Sequence, residues 1–327
     1  MAQRADPVTK RLGLAAATLI VAAVLLAFAG IASRIEPGTG LGPGDWAAVR
    51  FTVVQSVLSA LLSALLAIPL ARALARRRFL GRGVLVTLLG APFILPVIVA
   101  VLGLVTVFGR SGWLNTGLAM IGLPGISIYG LHGVVLAHVF FNLPLATRLL
   151  LQGWQTVPAE RFRLAAQLRL TPASVFRTLE WPMLKQILPG VAALIFVICL
   201  TSFAVALTLG GGPRATTVEL AIYQAFKFDF DLGRAAMLAV VQLVLAGSAA
   251  LIALWMIPPI SVGGGIDRPV QRWDATHGVQ RGLDVGIIVL AAMFLLLPLG
   301  AVVARGVVGL GQVPLSVWHA AGAAPFV

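Results

Sequence analysis

Apolar and polar positions segregate into long blocks along the chain. Apolar runs fill residues 13–33, 51–71, 83–108, 130–151, 187–209, 235–257 and 283–304, separated by polar stretches of unequal length. In a bilayer every backbone N–H and C=O must be satisfied within the protein. An apolar run of about 20 residues therefore predicts a spanning helix rather than a strand. The pattern predicts an all-α polytopic membrane protein with about seven transmembrane helices. The first run exceeds the apolar core of a cleaved signal peptide, about 7–15 residues, and is read as a retained helix. Run 83–108 contains Pro92 and Pro96, which loosen the backbone ladder and free carbonyls. They mark either a kinked helix lining a pathway or prolines that a membrane helix tolerates.

The longest polar stretch, Gly153–Gln186, reads as two short helices meeting at a bend on the membrane surface. Pro158 suits a first helical turn, Thr171 can cap a second helix with Pro172 at its first position, and Pro182 breaks the chain before the next apolar run. On the first helix Glu160, Arg163 and Gln167 share one face, and Phe162, Ala165 and Ala166 share the other. Arg161 and Arg169 interrupt the apolar arc. Such a bent pair makes a knob that a soluble partner can grip. Residues 34–50 read as an external loop. The spacing of Gly38, Gly40, Gly42 and Gly44 resembles a phosphate loop, but no strand precedes it. Segments 109–129 and 210–234 are external too, the latter with a helical piece at Val218–Phe226. Pro258–Gly282 reads as a linker between two halves.

Composition agrees with the membrane reading: 59% of residues are hydrophobic and 11% charged, about half the charge of a soluble domain. The net charge of +13 does not indicate nucleic acid, because the basic residues sit in short loops between apolar runs. Sixteen Lys and Arg fall in one set of segments: Arg4, Lys10 and Arg11; Arg72, Arg76, Arg77, Arg78 and Arg82; Arg161, Arg163, Arg169, Arg177 and Lys185; Arg268, Arg272 and Arg281. Seven fall in the other: Arg34, Arg50, Arg110, Arg214, Lys227, Arg234 and Arg305. This asymmetry predicts that the N-terminus and the 153–186 loop are cytoplasmic. The single cysteine, Cys199, lies in an apolar run and forms no internal disulfide.

No lysine follows a glycine, so the chain lacks a Walker A loop; if it serves an active transporter, the ATPase is another polypeptide. No Cys/His cluster has metal spacing, and no cofactor is expected. His132 and His138, six residues apart, point about 240° from one another on a helix and do not chelate one ion; they read as neutral, hydrogen-bonded core histidines. Spans 13–33, 51–71, 83–109, 130–147, 186–213 and 235–257 hold no Asp, Glu, Lys or Arg. That argues against a self-powered ion-coupled carrier and for a conduit opened by a partner. Gln55, Asn142, Thr201, Ser202 and Gln242 are candidate pathway polars, or else residues that glue helices together.

The loop resembles the signature loop by which ABC-importer permeases dock on their ATPase. The family pattern is Ile-Pro-x-Glu-Leu-x-Glu-Ala-Ala, then a Gly, a Phe seven residues later and a Pro six after that. Val157, Pro158, Glu160, Ala165, Phe176 and Pro182 match in register. Arg163 stands at the second Glu, Leu164 at the first Ala and Arg169 at the Gly. His138-Val139-Phe140-Phe141-Asn142-Leu143-Pro144, Arg148-Leu149-Leu150-Leu151-Gln152, Leu209-Gly210-Gly211-Gly212-Pro213 and Ala215–Ala225 are similar to the thiamine-importer permeases, a likeness running over most of the first 300 residues. It implies the type I importer permease fold in a bacterial inner membrane, with thiamine or its phosphates as solute. The implied partners are a periplasmic substrate-binding protein and a cytoplasmic ABC ATPase dimer, with Pro158, Glu160, Phe162, Arg163, Ala165, Ala166, Arg169, Phe176 and Pro182 in the coupling loop. That family fuses two six-helix halves, which implies a first half at 1–257, a linker at 258–282 and a truncated start of the second at 283–327. The same layout serves fused permeases for ferric iron or other small solutes. A membrane-embedded enzyme or scaffold is a further alternative, without convergent catalytic polars to support it.

Overall fold

A computed structural model describes residues 7–33, 40–212, 215–256 and 278–309. Its helices are α1 (Pro7–Ala32), α2 (Pro43–Arg76), α3 (Arg82–Leu88), α4 (Ala91–Ile94), α5 (Val97–Phe108), α6 (Trp113–Met120) and α7 (Leu131–Thr156). They continue with α8 (Ala159–Gln167), α9 (Pro172–Val175), a π-helical turn at Phe176–Glu180, α10 (Trp181–Leu200), α11 (Phe203–Leu209), α12 (Val218–Lys227), α13 (Leu232–Met256) and α14 (Gly278–Gly309). No strand occurs among the described residues, and six helical spans there are long and apolar enough to cross a membrane. The first predicted run is helical as α1, which packs along α13.

The bundle is built around α2. The Gly42 N–H donates to Asp45 Oδ2 at 2.9 Å, and Pro43 opens the helix where its missing N–H has no partner to lose. At 34 residues α2 runs about 50 Å, more than the apolar thickness of a bilayer. Its buried face carries Thr52, Ser56, Ser59, Ala60, Ser63, Ala64, Ala67 and Ala71, while Leu58, Leu61, Leu62, Leu65 and Leu66 are exposed. The small residues let α7 and α10 lie close against it, and the leucines face where lipid would be. The Thr52 and Ser56 hydroxyls donate to carbonyls one turn back in their own helix, at 2.8 and 2.7 Å, so neither is left unpaired. On the other side, α14 packs on α5 and α2. Phe294 stands edge-on to the buried Phe140, with 5.9 Å between ring centroids.

The chain departs from the apolar pattern in four places. The run at 83–108 is three helices rather than one: Pro92 sits in the first turn of α4, and Pro96 precedes α5. Proline drives the preceding Leu95 to extended backbone, φ −76° and ψ 140°, which ends α4 instead of kinking it. The run at 187–209 is broken at Thr201–Ser202, with neither Gly nor Pro to announce it. Pro182 does not break the chain. Helix continues from Pro172 to Leu200, and the π turn just before Pro182 absorbs the bond its missing N–H cannot make. Finally, the helices outrun their charge-free spans, and Asp45, Glu180 and Asp284 are buried at helix ends opposite arginines. The linker expected at 258–282 lies outside the described residues except for Gly278–Gly282, which open α14.

Where α5 crosses α14, a Cβ on Gly103 would meet the Pro298 carbonyl oxygen at 2.4 Å and Val302 Cγ2 at 2.8 Å. Gly103→Val is expected to push the two helices apart at a cost of roughly 1–3 kcal/mol. A lower melting temperature in detergent checks this. Gly117→Ala, whose Cβ meets nothing within 4 Å, should not lower it.

Candidate functional site

The loop between α7 and α10 folds on itself. Pro158 is exposed and caps α8. Phe162 and Ala165 point inward onto Val175, with Val157, Leu170 and Leu179 around them. These two apolar residues therefore make the loop's own small core, not the face expected to meet a partner; Ala166 is half-buried. The outward face carries Glu160, Arg161, Arg163, Leu164, Gln167 and Leu168. Glu160 and Arg163 are 4.0 Å apart and well exposed, a contact worth little in water. Leu164 and Leu168, one turn apart, are 56% and 63% exposed.

Arg169 ends α8 in the left-handed region, φ 50°. Its N–H donates to the Ala166 carbonyl and the Leu170 N–H reaches the Ala165 carbonyl, each at 3.0 Å, which together close a Schellman cap. This explains why a glycine suits the position. Thr171 then caps α9, accepting the Ser174 N–H at 3.2 Å, as its sequence predicted.

A buried ion pair fastens the loop to the bundle. Glu180 is fully buried and accepts from Arg72 Nε at 2.6 Å and from Trp154 Nε1 at 3.2 Å. The Arg72 guanidinium lies 4.8 Å from the centre of the half-buried Phe176 ring and reaches the Pro172 carbonyl at 3.5 Å. One turn on, Arg76 and Arg77 hold Asp284 of α14 at 2.5 and 2.7 Å. The end of α2 thus bonds both the loop and α14. Arg72, Trp154 and Glu180 were missed as site residues; Arg72 had counted only toward topology. Pro182, just beyond, is exposed.

At the break between α10 and α11 the carbonyls of Cys199 and Leu200 lose the N–H groups that a continuous helix would supply. Gln55 of α2 donates to the first at 2.8 Å, and Gln242 of α13 donates to the second at 2.9 Å. Asn142 of α7 donates to the His138 carbonyl and to Cys199 Sγ. His138, buried, bridges Ser59 Oγ at 3.2 Å and Ser202 Oγ at 2.6 Å. Gln55, Asn142 and Gln242 are buried packing residues, while Thr201 is exposed and Ser202 half-buried. Pro92 is buried and Pro96 exposed, in the α3–α5 run. His132 is exposed rather than part of the core, its ring on the Ser127 carbonyl.

Spanning helices here carry a self-packed two-helix loop, clamped to one end of the bundle by buried ion pairs, and the fold as a whole is found in solved ABC transporters. A solved structure with this fold is the crystal structure of a bacterial alginate ABC transporter in complex with alginate pentasaccharide-bound periplasmic protein. One of its chains aligns with a TM-score of 0.60 at 16% identity, over 78% of this chain and 98% of that one. The structure of a bacterial ABC transporter involved in the import of the acidic polysaccharide alginate aligns equally well, at 18% identity over 76% and 96%. No family model matches the chain. In sequence it is 47% identical over 304 residues to the thiamine transport system permease protein ThiP of Escherichia coli (strain K12), covering 90% of this chain and 56% of that one. It is 41% identical over 280 residues to the protein of the same name from Brucella abortus (strain 2308), covering 84% and 52%. The chain is similar, over most of its own length, to the thiamine transport system permeases, and it shares its fold with chains of solved ABC transporters. It spans about half the length of those relatives.

Two outcomes follow from the loop. Glu180→Ala strands Arg72, and because Arg72 keeps 21% of its side chain exposed the cost should be about 3 kcal/mol, the lower end for a buried pair. Limited proteolysis should then cut the loop sooner. Arg169→Gly removes left-handed strain worth about 1 kcal/mol, and should slow amide exchange at Leu170.

Proposed function

We propose that the chain forms the membrane conduit of an ABC importer for thiamine or its phosphates, with α8 and α9 as the element that docks on a separate ATPase. The likeness to thiamine transport permeases over nine-tenths of the chain carries the solute assignment. In this reading a periplasmic binding protein delivers the solute, and the α8 end faces the cytoplasm of an inner membrane. That orientation rests on the excess of basic residues in the segments at that end. Residues up to 257 form one permease half, and α14 belongs to the start of the next.

The geometry supports a lever. Leu164 and Leu168 protrude from a loop whose own core is already filled by Phe162, Ala165 and Val175. They are free to enter an apolar groove on the ATPase, while Arg161 and Arg163 are placed for its polar rim. A push on α8 reaches the bundle by two rigid routes. One is the Arg72–Glu180 pair to α2; the other is the unbroken helix from Pro172 to Leu200, which ends at the break.

Transport is tested in proteoliposomes of the assembled importer: labelled thiamine should accumulate with ATP and binding protein, and unlabelled thiamine should compete. Accumulation of ferric iron in its place would overturn the solute assignment. Leu164→Asp with Leu168→Asp should leave membrane abundance normal and weaken ATPase co-purification. Each lost leucine is worth about 1.5–3 kcal/mol, roughly ten- to a hundred-fold in affinity. Undiminished co-purification would exclude this face as the dock. A cysteine at Glu160 should resist an impermeant thiol reagent in intact cells, and one at Glu219 should label; the reverse pattern inverts the topology.

A further inference from the structure

Where the chain runs through the apolar layer, the break at Thr201–Ser202 is open on one side. Gln55, which clamps it, lies five residues inward of Arg50, and Gln242 lies eight inward of Arg234, about 7.5 and 12 Å along their helices. The break is therefore below the charged surface at the end opposite the docking loop. Its backbone is irregular: φ −101° and ψ 39° at Thr201, φ −103° and ψ 88° at Ser202. Irregular backbone at this depth is tolerated only against protein or a watery cavity, never against lipid tails. Yet Thr201 is exposed in this chain.

Resting on the permease reading above, we infer that Thr201 is a solute-contact point in the translocation pathway. Gln55, Asn142, His138 and Gln242 are positioning residues that hold the break open. The Thr201 hydroxyl donates to the Ile198 carbonyl at 3.3 Å, which leaves its lone pairs to accept. Gln55 donates to the break and to Ser56 Oγ of its own helix, Asn142 to Cys199 Sγ and the adjoining turn of α7, and Gln242 to the break, while their amide oxygens are buried away from solute. The accepting lone pairs of an exposed hydroxyl, in a span that holds no Asp, Glu, Lys or Arg, suit a small cationic solute that carries hydrogen-bond donors. The ring cation, amine and hydroxyl of thiamine meet that description. The clamps also explain why the opening survives in an apolar layer: each freed carbonyl has a side-chain donor, so the helix gains nothing by closing.

The test is the reactivity of Thr201→Cys in the assembled importer toward a small charged methanethiosulfonate. The unmodified chain sets the background through its buried Cys199, and Leu251→Cys serves as a lipid-facing control. A thiol in hydrocarbon stays protonated and inert, so the cysteine at 201 should react at least about tenfold faster than the one at 251. Thiamine with its binding protein should slow that reaction. Protection by a different transported solute supports the contact point and overturns thiamine as cargo. Reaction no faster than at 251, or fast reaction that no transported solute slows, overturns the contact point while leaving thiamine uptake to judge the permease reading. Thiamine KM should rise about fivefold for Thr201→Val, the worth of one hydrogen bond.

Discussion

In a bilayer no water is available to satisfy a backbone amide or carbonyl, and the structure is arranged around that constraint. Helices α2, α7 and α13 meet it by remaining helical over 25 residues or more. Where the chain cannot remain helical, side chains from other helices supply what the backbone lost. Gln55 and Gln242, on α2 and α13, donate to the carbonyls of Cys199 and Leu200 where α10 stops. The π turn before Pro182 is a second answer to the same demand, since a shifted register tolerates a residue without an N–H.

Charge is handled by a parallel rule. The charge-free spans are flanked by carboxylates that are buried but paired. Asp45 takes Arg234 at one end of the bundle, while Glu180 and Asp284 take three arginines from α2 at the other. Such pairs add little net stability, because desolvation offsets most of the attraction. Their effect is geometric. They fix which turn of α2 meets the loop and which meets α14.

These two rules connect the ends of the molecule. The loop is rigid because its apolar side chains pack on one another, and it is continuous with α10 because a π turn replaces what would otherwise be a hinge. The irregular point lies farther along, at the Thr201–Ser202 end of α10, where polar side chains hold the backbone. The loop and the break are thus joined by one continuous helix, Pro172–Leu200.

The sequence by itself determined the all-α class, the place of most spans, the two short helices of the polar loop and the Thr171 cap, because each depends on residues near one another along the chain. Hydropathy over a run and a cap three residues away leave local traces. What only the tertiary structure decided depends on residues far apart: Arg72 with Glu180, Gln55 with Cys199, and Asp284 with Arg76 and Arg77. The inward turn of Phe162 and Ala165 belongs here too, since an apolar face on a short helix does not say whether its own loop or a partner covers it. The break at Thr201 was illegible for the same reason. Neither residue there disfavours a helix strongly, and the donors that make an interrupted helix stable come from α2 and α13, 144 and 42 positions away.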